Sequence, residues 1–196
     1  MAKYILFDGT NTDLWRTPNG DPIDWQINDD GSMTTGSTDC VSTVTYGDAH
    51  IHVEFRKPSD DERKEGQFQD SNSGVYLQGC YEVQIIDSYG DASPKENPMG
   101  AIYFRHLPRV NADRPCKEWQ TYDIYFRAPR FNDRNEMIEC ARATIIHNGI
   151  CIHNNVEIFW ATRGGLTEAP VKEGPLVFQS YRGDPVRFRN VWIETL

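Results

Sequence analysis

The sequence predicts an all-β fold, a single sandwich or jelly roll of two antiparallel sheets. Period-two alternation of apolar and polar residues runs through most of the chain, and no stretch carries the 3.6-residue periodicity of a long amphipathic helix. Turn residues recur at short intervals between the alternating runs, the pattern of many short strands. A chain of 196 residues suits one domain over 1–196, and aromatics making up 12% of it supply a core that needs no disulfides.

In chain order the strands are expected at Lys3–Phe7, Asp39–Thr45, His50–Lys57, Gly74–Gln78, Tyr81–Ile86, Ala101–Phe104, Trp119–Ala128, Ala141–His147, Gly149–His153, Leu176–Ser180 and Val186–Leu196. Asn19-Gly20, Asp30-Gly31, Tyr46-Gly47-Asp48, Gln78-Gly79-Cys80, Asn148-Gly149 and Arg182-Gly183-Asp184 supply turns between them. The clearest hairpin is Ile145–Ile152, where Asn148-Gly149 offers the two positive-φ positions of a tight turn. Three segments read as long loops: charged Pro58–Ser71, Ser88–Gly100 with two prolines, and Ala161–Gly174 with Gly164-Gly165. The apolar ends Ile5-Leu6-Phe7 and Val191-Trp192-Ile193 each need a partner, and pairing them closes a sheet. Asn190 interrupts the alternation of the last strand and reads as a bulge, with Arg189 placed to brace an acid.

Composition bounds the partners. A net charge of -9 disfavours a nucleic-acid backbone and suits a neutral or cationic ligand or a divalent metal, besides keeping the chain in solution. No apolar run approaches the roughly 20 residues of a membrane-spanning helix. Five cysteines without CxxC spacing read as scattered reduced thiols rather than a disulfide framework or a zinc cluster. The absence of a basic stretch followed by an apolar segment fits a cytoplasmic protein. Nothing in the pattern fixes the oligomeric state.

Alternation also assigns faces. Ile51, Val53 and Phe55 point one way, and His52, Glu54 and Arg56 the other. Tyr81, Val83 and Ile85 oppose Glu82 and Gln84, and Ile102 and Phe104 are expected on the core side with Tyr103 opposite. Such a polar face is ordinarily just solvated, but here it holds acids, an amide, an arginine and aromatics, the contents of a lined groove. Glu82 and Gln84 emerge on one face about 7 Å apart. A glycosidase needs two carboxyl groups about 5 to 10 Å apart, so Glu82 would have to pair with Glu54 or Asp87. Were Glu54 and Glu82 neighbours, like charge would raise one of their pKa values. His106, in a turn-like Arg105-His106-Leu107-Pro108, is the histidine best placed to act as a base or ligand, whereas His147 and His153 flank the hairpin as a polar cross-strand pair. Asn72 at a strand end is suited to sugar hydroxyls and Gly74 to close approach of a ligand, while a plain turn into the strand explains Asn72-Ser73-Gly74 equally well.

Leu6-Phe7-Asp8-Gly9-Thr10, Leu14-Trp15, Glu54-Phe55-Arg56, Asn72-Ser73-Gly74-Val75-Tyr76, Tyr81-Glu82-Val83-Gln84-Ile85, Gly100-Ala101-Ile102-Tyr103, Glu118-Trp119-Gln120, His147-Asn148-Gly149 and Pro185–Ile193 together resemble the 3-keto-disaccharide hydrolase family, in order and over nearly the full length. The resemblance implies a concanavalin A-like jelly roll with a ligand groove on one sheet and a carbohydrate substrate. Laminarinase-type glycosidases share that fold, but Gln84 stands where their paired-acid motif carries an acid. It further implies glycosides already oxidised at C3, whose ketone acidifies the C2 proton, so that a base can expel the C1 substituent by elimination and water can then add. Such a site needs a base, an enolate stabiliser and an acid for the leaving oxygen. Glu54, Glu82, Asp87 and His106 are the candidates for base and acid. Arg56, Tyr103, Gln84 or a divalent metal could stabilise the enolate, Trp119 or Tyr76 could stack on a sugar, and Asn72 could bind its hydroxyls. A non-catalytic carbohydrate-binding module and a two-carboxylate glycosidase are the competing readings.

Overall fold

The computed structural model describes residues 1–63, 71–91 and 96–196. The middles of the loops expected over Pro58–Ser71 and Ser88–Gly100 lie outside the described residues.

The strands are β1 (Lys3–Phe7), β2 (Trp15–Arg16), β3 (Gln26–Ile27), β4 (Met33–Thr34), β5 (Cys40–Tyr46), β6 (Ala49–Arg56), β7 (Ser73–Leu77), β8 (Tyr81–Ile85), β9 (Trp119–Arg127), β10 (Arg130–Phe131), β11 (Met137–Glu139), β12 (Ala141–His147), β13 (Ile150–Ile158), β14 (Gly174–Phe178) and β15 (Arg187–Thr195). A single 3-10 turn, Asp60–Glu62, is the helical element among the described residues. The larger sheet runs β13-β12-β9-β6-β15-β4-β3 with β1 also on β15, the smaller runs β2-β5-β14-β7-β8, and β10 pairs with β11. Neighbouring strands are antiparallel throughout both sheets. No helix among the described residues is long and apolar enough to cross a membrane.

The core fills the space between the sheets with one side of each alternating run: Ile51, Val53 and Phe55 of β6, Tyr122, Ile124 and Phe126 of β9, Val75 and Leu77 of β7, and Tyr81, Val83 and Ile85 of β8. Phe178 of the smaller sheet stacks on Phe188 of the larger at 4.2 Å and on Trp15 at 5.0 Å. The two chain ends pair as expected, with Lys3 opposite Glu194 and Ile5 opposite Trp192. The expected bulge is present: Asn190 takes φ +47 and the β15–β6 register shifts between Arg189 and Trp192. Asn148 and Gly149 turn the β12–β13 hairpin with φ of +51 and +81.

Residues 101–104 depart from the expected strand. Ile102 bridges singly to Val83 and to His106, and its carbonyl accepts the N–H groups of both Arg105 and His106, so the chain reverses at once. Ile102 is buried as expected, but Phe104, at φ +53, turns its ring outward and is 46% exposed. Alternation over four residues does not separate a strand from such a turn. β2, β3, β4, β10 and β11, two or three residues each, escape prediction for the same reason.

Candidate active site

Glu82 and Gln84 project from β8 away from the core, as alternation requires, yet each is only 3% exposed. Two loops cover them. Residues 100–103 lie along the free edge of β8: Gln84 N–H donates to the Ala101 carbonyl (2.9 Å), Gly100 N–H to that of Gln84 (3.0 Å) and Tyr103 N–H to that of Glu82 (3.1 Å). The 161–166 loop docks at the start of β8. Thr162 N–H donates to the Cys80 carbonyl (2.8 Å), and Glu82 N–H donates to Thr162 Oγ1 (2.9 Å). Gly164 packs against Tyr76, where an added Cβ would stand 2.8 Å from the phenol oxygen, and its φ of +82 also favours glycine.

The result is a cavity of about 160 Å³ lined by Asn72, Tyr76, Glu82, Gln84, Tyr103, Arg163, Gly164, Gln179 and Tyr181. Glu82 is the one carboxyl among these lining residues. Burial pushes its pKa up to about 8, with the negative charge of Asp39 adding to the rise and the Tyr76 hydroxyl opposing it. The Tyr76 hydroxyl lies 2.9 Å from Glu82 Oε2 and 3.1 Å from the Arg163 carbonyl, and accepts from Gln179 Nε2 at 3.2 Å. One phenol proton thus serves two acceptors. An ionised Glu82 takes it, while a protonated Glu82 can donate to the phenol oxygen and leave that proton to Arg163. Gln84 Oε1 is buried without a hydrogen-bond partner among the described residues, a cost retained where a ligand supplies the missing donor. Asn72 is held by its backbone N–H on Asp184 Oδ2 (2.7 Å). A larger cavity of about 460 Å³, bordered by Asp24, Thr34, Thr35 and Glu62, shares none of these residues.

Of the expected site residues, Asn72, Tyr76, Glu82, Gln84 and Tyr103 converge here. The others do not. β6 is flanked by β9 and β15 in the larger sheet, whereas β8 pairs with β7 in the smaller one. Glu54 and Glu82 therefore face opposite sides of the sandwich, and, contrary to the single polar groove expected, Glu54 and Arg56 do not share a face with Glu82, Gln84 and Tyr103. Alternation gives the side of a strand, not which sheet the strand joins. Glu54 accepts from Arg189 Nε (2.7 Å) and Asn190 Nδ2 (2.8 Å). Burial raises its pKa, but these bonds outweigh burial and hold the group below the usual value. The elevation at Glu82 thus comes from desolvation, not from Glu54. Arg56 forms a two-pronged pair with Glu62 at 2.6 and 3.2 Å, and Trp119 lies under the Arg189 guanidinium at 3.9 Å.

Asp87 binds Lys57 Nζ (2.5 Å), a fully buried ammonium that also meets Asp113 (2.6 Å). His106 Nε2 is 2.6 Å from the Glu157 carbonyl, outside the cavity lining. His147 and His153 are not a pair: one meets Gln120 Oε1 and the other the Gly100 carbonyl. Arg163, Gly164, Gln179 and Tyr181 belong to the site and were not expected there. The Gly164-Gly165 doublet was the available signal for the first two, and Gln179 and Tyr181 carried none.

No group of three or more His, Cys, Asp or Glu side chains among the described residues is disposed to hold a metal. The described residues lining the cavity, one carboxyl and otherwise amides, phenols, a glycine and a guanidinium, do not match a divalent-metal donor set.

The family model of the 3-keto-alpha-glucoside-1,2-lyase-like domain matches residues 4–194. The chain belongs to this family. Membership places it among carbohydrate-active proteins. A candidate glycosyl hydrolase from Parabacteroides distasonis ATCC 8503 is 32% identical with a TM-score of 0.86, over 99% of this chain and 84% of that one. A second from the same organism is 20% identical with a TM-score of 0.71, over 99% and 94% of the two chains. The carbohydrate-binding module CBM66 from Bacillus subtilis, 12% identical with a TM-score of 0.52 over 96% and 97% of the chains, shares the fold of this family member. No curated protein matches the chain.

Proposed function

We propose that the Glu82 cavity cleaves 3-keto-glucosides by removing the C2 proton, expelling the C1 substituent and adding water, a net hydrolysis. The observation that carries this reading is that Glu82 is the one carboxyl among the described residues lining the cavity. Double displacement and inversion in their usual form each use two carboxyl groups, whereas one group of shifted pKa can perform elimination by taking a proton and later returning it.

Ionised Glu82 takes the C2 proton, and the C–H electron pair becomes the enolate of the C3 ketone. Its pKa of about 8 makes it a stronger base than an ordinary carboxylate while leaving about a tenth of it ionised at pH 7. The Gln84 carboxamide offers Nε2–H to the oxygen at C3 and the unpartnered Oε1 to a neighbouring sugar hydroxyl, so it serves both the enolate and the recognition of a keto-alcohol. Collapse of the enolate forms the C1–C2 double bond and releases the C1 oxygen with its electron pair. Water then bonds to C1 as hydroxyl, its released proton ending through solvent on the departed oxygen, and Glu82 returns the proton it took to C2. Tyr76, by switching its proton between Glu82 and the Arg163 carbonyl, follows the carboxyl through both states.

The test is incubation with a 3-keto-glucoside beside its unoxidised parent, with deuterium at C2 in a parallel sample. Cleavage of the keto compound alone, with deuterium exchanged or the rate slowed, is expected. Cleavage of the parent, or cleavage retaining C2 deuterium at full rate, would return the site to ordinary glycosidase chemistry. No cleavage of either would leave a binding module.

A further inference from the structure

Beside the Glu82 cavity lies a second one of about 270 Å³, lined by Tyr103, Phe104, Arg105 and Arg163. The two share Tyr103 and Arg163, so one molecule can occupy both across that pair. The backbone of Phe104 is left-handed, at φ +53, a conformation that glycine adopts freely and a bulky residue only at a cost. Its N–H is held by Asn97 Oδ1 at 2.6 Å. The reversed chain is pinned from the other side by Arg105, whose guanidinium donates to the carbonyls of Trp160 (3.3 Å) and Ala161 (2.7 Å). The Phe104 ring is thereby kept out of the core, edge-on to Tyr103 at 4.6 Å, with the Arg163 guanidinium 6.0 Å from its centre.

We propose that this second cavity is a leaving-group subsite for a flat aryl aglycone, stacked on Phe104 and with its phenolic oxygen directed to the Arg163 guanidinium. The proposal rests on the elimination reading and narrows its substrate class. Within that reading the described residues lining the cavity include no second carboxylic acid to protonate the departing oxygen, and the phenols Tyr76 and Tyr103 are made weaker acids by burial. A phenol, with a pKa of about 10, can leave as its anion beside a guanidinium, where an alkoxide from a sugar or simple alcohol needs a proton. The C1–O electron pair stays on the phenolate oxygen, which takes its proton from solvent after release.

The test compares phenyl 3-keto-glucoside, methyl 3-keto-glucoside and a 3-keto-disaccharide with wild type and Phe104→Gly, since glycine accepts the left-handed backbone. The expected result is a fall of at least about fivefold in the phenyl-to-methyl ratio of kcat/KM, carried mainly by KM. An unchanged ratio, or an equal loss for the disaccharide, overturns the proposal. In parallel, unoxidised phenyl and methyl glucosides are titrated calorimetrically into both proteins. A phenyl preference that disappears in the variant supports the subsite even if no keto-glucoside is cleaved, in which case the elimination reading alone fails. No phenyl preference in wild type, or one retained in the variant, overturns the subsite.

Discussion

Gly74 on β7 leaves the space that the Glu82 carboxyl on β8 occupies: a methyl group at residue 74 would stand 2.5 Å from Glu82 Oε1 and 2.9 Å from Cγ. Gly74 lies opposite Gln84 in the ladder, so its missing side chain opens the floor beneath both functional groups. Gly74→Ala should displace the carboxyl without removing it. On this account kcat/KM for a 3-keto-glucoside falls about 10- to 100-fold while overpacking lowers the thermal midpoint by only a few degrees. Full activity in this variant would mean that the position of Glu82 is not critical.

Glu82 must be ionised to act as the base. With its pKa pushed up to about 8, kcat/KM should climb through neutral pH and level off above that value. Glu82→Gln should lose at least about 100-fold. Tyr76→Phe removes the hydroxyl that favours the carboxylate, so the midpoint of the profile should move to higher pH. A profile falling across pH 8 would make protonated Glu82 the active form and reverse its assigned role.

Glu54 gives the opposite expectation. It lies on the outer face of the larger sheet, bonded to Arg189 and Asn190 at the β15 bulge. Glu54→Gln should leave turnover within about twofold and cost on the order of 1 kcal/mol of stability, measured by urea unfolding. A loss like that of Glu82→Gln would place Glu54 in the chemistry.

The contrast between these two acids shows what the sequence makes legible. Side-chain direction was readable on both β6 and β8, because alternation is a local property of an extended chain. Sheet membership was not, because it depends on pairings such as β6 with β9 and β7 with β14, which join residues far apart in sequence. Terminal pairing of β1 with β15 was legible because each apolar end needed a partner. The Glu82 cavity was half legible: Tyr76, Glu82 and Gln84 sit on regular strands, whereas Arg163 and Tyr181 arrive on loops whose course follows backbone hydrogen bonds, such as Thr162 to Cys80. The burial of Glu82 could not be read either, since alternation distinguishes the two faces of a sheet but does not show when a loop covers the polar one.

That burial has a consequence for stability. Glu82 has a folded-state pKa of about 8 against an ordinary value of 4.5. Between those values the folded protein holds a proton that the unfolded chain releases, so the unfolded state binds fewer protons and stability falls as pH rises. The contribution is fully present below about pH 4.5 and is lost progressively up to about 8. Glu82→Gln keeps the shape and removes the titration. Relative to wild type, this variant should therefore gain stability with rising pH, by at most about 3 kcal/mol between pH 4.5 and pH 7. Urea unfolding of both proteins at pH 5 and pH 7.5 checks the sign. A stability difference that stays flat, or turns against the variant at the higher pH, would mean that Glu82 is already ionised in the fold. The base strength assigned to it would then have to come from elsewhere in the cavity.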